Sequence, residues 1–567
     1  MEKKGSAVFS AIVLCGLSLM LTWCIPASAQ RTAGRPAVLT NSVANDPMAF
    51  DVSPPLRSLP VQAMALQGTR LMHPPLRPKL QQLKATAAAQ GRAPVRGAPP
   101  SSPGPLISAT IGQQFDGISG DPGSAASENC PLVSGVQLAP PDTNLAVGDT
   151  QVVQWVNICY SVYDKATGAL IAGPFPGSHF WAGFSNSVCS FRNDGDIIIQ
   201  WDKANHRWMA AQNVFGPYLT CVAVSTSADA TGSYNRYQFL QPGFPDYPKW
   251  GLTPDVYYQT QNDFGANDGF QGVNVCGYDA AAMRAGRKAK QVCILDNSNG
   301  TLFDDSMLPA DSDSTGGATT SEVLLGSIDN FLPGDTHVYE YVFTVNLKKG
   351  TATLAGVNGS MPISVPAFNL AFCSPGGFRT TNCVPQPSAG SELLDTLGDR
   401  LMYRLARFDD GTTQHFLVTH SITNTSGVAA RWYEFTASSG STSLSLAQAG
   451  NTPDDRVYRW MGSVARDKFG NIALGYSRSS SAAGDFPSLY LSGQTAGEAP
   501  GTTDSESLIF AGSGSQFNTN SRWGDYSSMA LDGADGCTFW YTTEYYPFDG
   551  SFQWYTHIAS LKFPNCH

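Results

Sequence analysis

From about residue 138 the apolar positions come in short runs rather than in helical spacing. Runs rich in Trp, Tyr, Phe, Val and Ile alternate with clusters of Gly, Asp, Asn, Ser and Pro, which is the pattern of β-strands joined by turns. One unit recurs: a polar or charged lead-in, an apolar strand, a turn built on Asp, and a second apolar or aromatic strand. Its clearest copy runs Arg459-Trp460-Met461-Gly462-Ser463-Val464-Ala465-Arg466-Asp467 and resumes at Asn471-Ile472-Ala473-Leu474-Gly475-Tyr476. A second runs Arg522-Trp523-Gly524-Asp525-Tyr526 through Leu531-Asp532, followed by Cys537-Thr538-Phe539-Trp540-Tyr541. Weaker copies surround Asp149, Asp202 and Asp255. A two-stranded unit cannot bury its own apolar face, so its repetition predicts an array whose neighbours cover one another.

The turn aspartates serve as a ruler: Asp149, Asp202, Asp255, Asp329, Asp409, Asp467 and Asp532. About 430 residues divided over seven such units leave about 60 each, which suits a four-stranded blade with insertions. The expected fold is therefore all-β, a β-propeller of seven four-stranded blades over residues 138–567, with six or eight blades left open. A pair of β-sandwiches is the competing architecture. Long periodic helices are absent, and Asp279 to Lys290 is the one stretch with helical character, weakened by Gly286.

The N-terminal part reads differently. Residues 1–29 combine a charged start, an apolar run from Ala7 to Cys24 and the small-residue site Ala27-Ser28-Ala29, the layout of a cleaved signal peptide. Residues 30–105 are rich in Pro, Ala, Arg and Gln, broken by Pro54-Pro55, Pro74-Pro75 and Pro99-Pro100. They are expected to be a largely disordered leader. Residues 106–137 are expected to be a linker.

Charge divides along the same boundary. The leader holds nine Lys or Arg against Asp46 and Asp51, while residues from 106 onward hold 24 basic against 42 acidic. An acidic body repels phosphates and excludes nucleic acid as a partner. No later run reaches membrane-spanning length, so no span is expected after signal cleavage.

Twelve cysteines fall to ten once Cys15 and Cys24 leave with the signal. An even number in an exported chain predicts disulfides. Cys373 with Cys383 closes a short loop, and Cys537 with Cys566 ties down the C-terminal end. The other six cannot be paired from sequence. Neither C-x-x-C nor H-E-x-x-H occurs, so no metal site is expected. Calcium is the one cation composition leaves open, at Asp263, Asn267 and Asp268, where the spacing and closing Glu of a calcium loop are missing.

In a propeller the residues leading into each innermost strand converge on the central axis. Here they are Asp142, Asp196, Asp246, Lys249, Asp399, Arg400, Arg459, Arg522 and Asp525. Arg forks match carboxylates and Asp accepts hydroxyl donors, so such a ring suits a charged or sugar ligand. Arg400, Arg459, Arg522 and Asp399, with the aromatic Trp460 and Trp523, are the expected ligand-binding set. The competing reading has these charges pairing locally to fix the register of the ring. Glycoside cleavage needs two carboxylates facing one bond, for which Asp246, Asp525 and Glu544 are the candidates. Nucleophilic triads are disfavoured, since G-x-S-x-G is absent.

At Arg522 to Met529, Thr538 to Tyr546, Leu397 to Arg404, Arg459 to Ser463 and Gly470 to Ser477, the chain resembles a group of secreted bacterial β-propeller-like proteins. The resemblance spans roughly 138–566. It implies an exported or periplasmic bacterial propeller and carries no activity with it. A looser similarity runs to sialidase-like propellers, whose S-x-D-x-G-x-x-W boxes have no clean copy here, a departure that argues against sialidase chemistry.

The expected function is binding of an extracellular glycan or protein partner at the funnel mouth. Glycan cleavage by a hydrolase or lyase at the same mouth, and a structural role in the envelope or matrix, are the alternatives. The same architecture hosts all three.

Overall fold

The computed structural model describes residues 35–60, 71–72, 105–130, 138–265, 269–298, 304–315, 320–327, 335–373 and 380–567. The four strands Thr143–Val147, Gln151–Val156, Cys159–Asp164 and Leu170–Pro176 pair antiparallel in chain order to make a first sheet. The same up-and-down order repeats over 198–240, 244–296, 308–355, 401–451 and 458–510, and a final group of three strands covers 528–562. The sheets are numbered here in that order. The fourth and fifth are also joined through parallel pairing of Ala310 with Leu405. The architecture is all-β and β-propeller-like.

The first strands of successive sheets lie side by side. Asn144 in the first sheet accepts from the Ile199 amide of the second at 2.7 Å, and the Gln200 side-chain amide donates to the Trp250 carbonyl of the third at 2.7 Å. The last sheet returns to the first: the Thr143 hydroxyl donates to the Tyr526 carbonyl at 3.0 Å, and that of Ser528 to the Leu145 carbonyl at 3.4 Å. Where the third and fourth sheets meet, a Cβ on Gly251 would fall 2.2 Å from the Ala310 carbonyl, so only glycine allows that approach.

Apolar clusters fill the gaps between neighbouring sheets, as the β-branched and aromatic strands require. Trp155, Tyr160 and Val162 of the first sheet meet Ile199, Trp201 and Trp208 of the second. Leu145, Val152 and Tyr163 meet Ala530, Trp540 and Ile558 across the gap between first and last.

Six of the seven ruler aspartates sit in, or at the start of, the turn after the first strand of a sheet: Asp149, Asp202, Asp255, Asp409, Asp467 and Asp532. The fourth does not. Asp329 lies outside the described residues, and the equivalent turn position belongs to Asp313, directly after the strand Leu308–Ser312. The turn role is local chemistry: the Asp467 carboxylate accepts from the Phe469 and Asn471 amides, each at 2.9 Å. Several of these aspartates also reach a basic side chain on another sheet or its connections, as in Asp532 with Lys165 at 2.9 Å, Asp149 with the His206 ring at 2.9 Å and Asp202 with Arg284 at 3.4 Å.

The reading of 30–105 as a disordered leader is corrected for residues 38–58. Ala49–Val52 pairs with the outer strand of the second sheet, Val43–Asn45 with that of the third and Val38–Leu39 with that of the fourth. This strap covers three outer edges that would otherwise present unpaired backbone groups. Its strands have two to four residues, too few to show a period of two in sequence. The linker reading of 106–137 is corrected too, because Thr110–Asp116 pairs with Tyr555–Lys562 and completes the last sheet. The signal-peptide expectation falls on residues outside the described ones.

Cys373 bonds Cys383 and Cys537 bonds Cys566, as the sequence suggested. The remaining pairs are Cys130–Cys159, Cys189–Cys221 and Cys276–Cys293. Five disulfides fit an oxidising compartment. The expected helical stretch forms the short α-helix Ala280–Arg284, capped by Asp279, which accepts from the Ala282 amide at 2.8 Å. No helix among the described residues is long and apolar enough to cross a membrane.

Candidate functional site: an axial pocket

Chain entering each first strand must turn sharply inward from the rim. At these lead-ins, or at an irregularity just inside the strand for Tyr247 and Met461, non-glycine residues adopt the left-handed backbone region: Asp142 (φ 49°), Asp196 (48°), Tyr247 (53°), Ser306 (49°), Met461 (51°) and Asp525 (57°). Such a conformation costs a residue with a Cβ about 1–2 kcal/mol, and strain of this kind gathers where side chains are aimed for a purpose.

Four of these residues face one pocket, lined from the first sheet by Asp142, from the second by Asp196 and from the third by Asp246, Tyr247, Pro248 and Lys249. Leu397 and Arg400 from the fifth and Arg522, Asp525 and Tyr526 from the seventh complete it. Of the nine lead-in residues that the sequence placed at the axis, seven line this pocket.

Lys249 is 1% exposed. Its Nζ lies 3.6 Å from the centre of the Tyr247 ring and 4.1 Å from that of Tyr526, with Tyr403 at 5.7 Å. Burial pulls its ammonium down to about 8, against the pull of Asp196, Asp142 and Asp525 in the other direction. Tyr247 donates its backbone N–H to Asp196 at 3.2 Å, tying the second and third sheets together at the pocket wall.

The two guanidinium groups are committed. Arg400 grips its neighbour Asp399 through two bonds of 2.9 Å and lies 4.7 Å from the Tyr247 ring centre. Arg522 pairs with Asp525. For Arg400, burial opposes the charge, yet the Asp399 carboxylate outweighs it and raises the pKa well above the ordinary arginine value.

Glu544 is not in the lining. It stands behind the turn, where it accepts from the Gly524 amide at 2.8 Å. Its burial, with Asp142 and Asp525 nearby, raises its pKa well above the usual carboxylate range.

Four expected ligand residues are corrected. Arg459 is away from the pocket, held by Asp455 at 2.7 Å and Glu506 at 2.7 Å; the local-pairing reading applies to it. Trp460 and Trp523 are 0% exposed and pack against each other with tilted rings, their centres 5.7 Å apart. The gaps between sheets take these rings, because no smaller side chain fills such a wedge. Asp399 reaches the site only through Arg400. The aromatic members of the lining are Tyr247 and Tyr526, of which sequence reasoning missed Tyr247. Its signal was a tyrosine directly following a lead-in aspartate, Asp246, as Tyr526 follows Asp525.

No group of three or more metal-ligating side chains forms a cation site among the described residues. In the calcium stretch, Asn267 and Asp268 lie outside the described residues. Asp263 is fully buried and accepts from Gln261 at 3.0 Å.

No protein-family model matches the chain, and no curated protein matches it. Among solved structures it is similar to the WD40 domain of SCAP from fission yeast, with a TM-score of 0.31 and 10% identity over 73% of this chain and 82% of that one. An endo-arabinase from Bacteroides thetaiotaomicron gives 0.26 and 13% over 54% and 95%. A sialidase from Trypanosoma rangeli gives 0.29 and 9% over 63% and 52%. At these scores and identities the likenesses carry no argument about function.

Proposed function

We propose that the sheets are the seven blades of one closed β-propeller and that its axial pocket binds a polyhydroxylated ligand, the end of an extracellular glycan chain. The observation that carries this reading is the convergence of four aspartates from four sheets on one pocket. Aspartates accept hydroxyl donors, and the faces of Tyr247 and Tyr526 suit the apolar side of a sugar ring. Arg400 and Arg522 are already engaged by Asp399 and Asp525, which favours a neutral glycan over one bearing carboxylates. Binding to a glycan array, followed by titration of hits with the Asp196→Asn and Asp246→Asn variants, tests the reading. Absence of any glycan hit for the folded protein overturns it.

A second reading, glycan cleavage, draws on Glu544. A carboxyl that burial raises well above the usual carboxylate range is of the kind that general acid catalysis uses, and Asp525 lies one residue from its Gly524 contact. Release of reducing ends, lost in Glu544→Gln, Asp525→Asn and Asp246→Asn, would support it. No release by the unmodified protein excludes it for the sugars tried.

A further inference from the structure

Two buried lysines of this chain have opposite surroundings. Lys203 sits 2.7 Å from the Asp313 carboxylate and is a paired structural cation. Lys249 lines the axial pocket, and among the described residues it makes no ion pair. Its hydrogen bond goes to the backbone carbonyl of Pro248 at 3.1 Å, and two tyrosine faces hold the rest of the amine. An ammonium placed this way is stabilised by ring faces and by carboxylates beyond contact range. The neighbouring Arg400 charge opposes it. Desolvation and an adjacent cation are the two conditions that turn a lysine into a nucleophile.

We propose that Lys249 is a reactive amine that condenses with an aldehyde entering the axial pocket. The inference rests on the pocket and not on the glycan reading, although the open-chain form of a reducing sugar belongs to the same ligand class. Lys249 first loses a proton to solvent, which leaves the free amine. The Nζ lone pair then forms a bond to the carbonyl carbon while the C=O π pair moves onto oxygen, which takes up a proton. Loss of that hydroxyl as water, with loss of the remaining N–H proton, leaves an imine. Amine and aldehyde are consumed, and imine and water are formed, with no oxidant or reductant required. With the ammonium pulled down to about 8, half of Lys249 is the free amine at pH 8. That is roughly a hundredfold more than for a surface lysine of ordinary pKa, about 10.4.

The test is reductive trapping on the unmodified, disulfide-bonded protein. Glyceraldehyde and sodium cyanoborohydride are added between pH 6 and 10, and the modified lysines are located by peptide mapping. Lys249 is expected to be labelled at least tenfold faster than the mean of the other lysines at pH 8, with a rate that is half-maximal near pH 8. Labelling confined to other lysines overturns the proposal, and so does a Lys249 rate that follows the pH dependence of the others. Glycan binding measured without borohydride is read separately, so failure of one result leaves the other standing.

Discussion

Arg404 and Asp313 meet as a buried ion pair where the fourth and fifth sheets join. Arg404 also reaches Asp311 at 3.2 Å and the Met529 carbonyl of the last sheet at 2.9 Å. Asp313 takes the Lys203 ammonium of the second sheet on its other oxygen at 2.7 Å. One carboxylate therefore serves two cations from two other sheets, at the end of the first strands opposite the pocket. Asp313→Ala leaves both cations with less than their full set of partners in a buried place. It is expected to lower unfolding stability by about 3–5 kcal/mol, read from urea denaturation, with glycan binding by the folded fraction unchanged.

Arg459 and Asp196 separate stability from recognition. Arg459 is 1% exposed and braced by Asp455 and Glu506. Arg459→Ala is expected to cost about 1–3 kcal/mol, the lower end applying because Asp455 is half in solvent. Ligand affinity should not move. Asp196→Asn, in the pocket wall, is expected to weaken glycan affinity at least about tenfold with a small change in melting temperature. Calorimetric titration paired with a melting curve for each variant checks both.

The contrast between these residues also shows what the sequence could convey. Turn aspartates are legible because an Asp side chain closes a turn on its own backbone, and that chemistry needs no partner far away. Their spacing exposed the repeat and placed most pocket residues at the axis. The fourth unit was misread, since Asp329 stood in for Asp313 and an insertion shifted the spacing. Arg459 and Arg522 occupy similar places in their repeats, yet one faces Glu506 and the other the pocket. That difference is set by which neighbouring loop supplies a carboxylate, and no local pattern records it. The strap strands were illegible for a related reason: two to four residues pair because the opposing edge is already ordered.

Proton binding gives a pH dependence of definite sign. Burial pushes the carboxyls of Asp263, Glu322 and Glu340 up to about 7, whereas carboxyls of an unfolded chain titrate near 4. Between about pH 4 and 7 the native state holds protons that the unfolded chain has released. Their contribution is complete below about 4 and is lost as pH rises through 7. Lys249 acts in the opposite limb. With its ammonium at about 8, the native state releases its proton before the unfolded chain does, so stability is regained from about 8 towards 10. Carboxylates held low by ion pairs, such as Asp455, lose their contribution only below about 4. The melting temperature is therefore expected to fall from pH 5 to 7.5 and recover by pH 9.5. Scanning calorimetry across that range decides it, with a shallower acid limb in Asp263→Asn and no recovery in Lys249→Met. A melting temperature that peaks near pH 7.5 would contradict the assignment.

The strap makes the last prediction. Asp51, in its Ala49–Val52 strand, receives the Arg236 guanidinium through bonds of 2.9 and 2.7 Å, and Arg236 is 1% exposed. Leu56, just beyond, is buried against the core between the first and second sheets. Asp51→Ala removes one partner of a buried cation that keeps the Phe180 and Ala182 carbonyls and the Phe184 ring face at 5.0 Å. A loss of about 1–3 kcal/mol is expected. Deleting residues 1–60 should do more, because it uncovers the outer strands of three successive sheets at once. Open edges of that kind pair with other chains. The truncated protein is expected to melt lower and to self-associate as its concentration rises, while the full chain stays at one size. Light scattering against concentration, with the Asp51→Ala variant alongside, separates the two effects: the point variant loses stability without gaining association. A truncated chain that stays at one size would mean that the three edges are protected by something other than the strap.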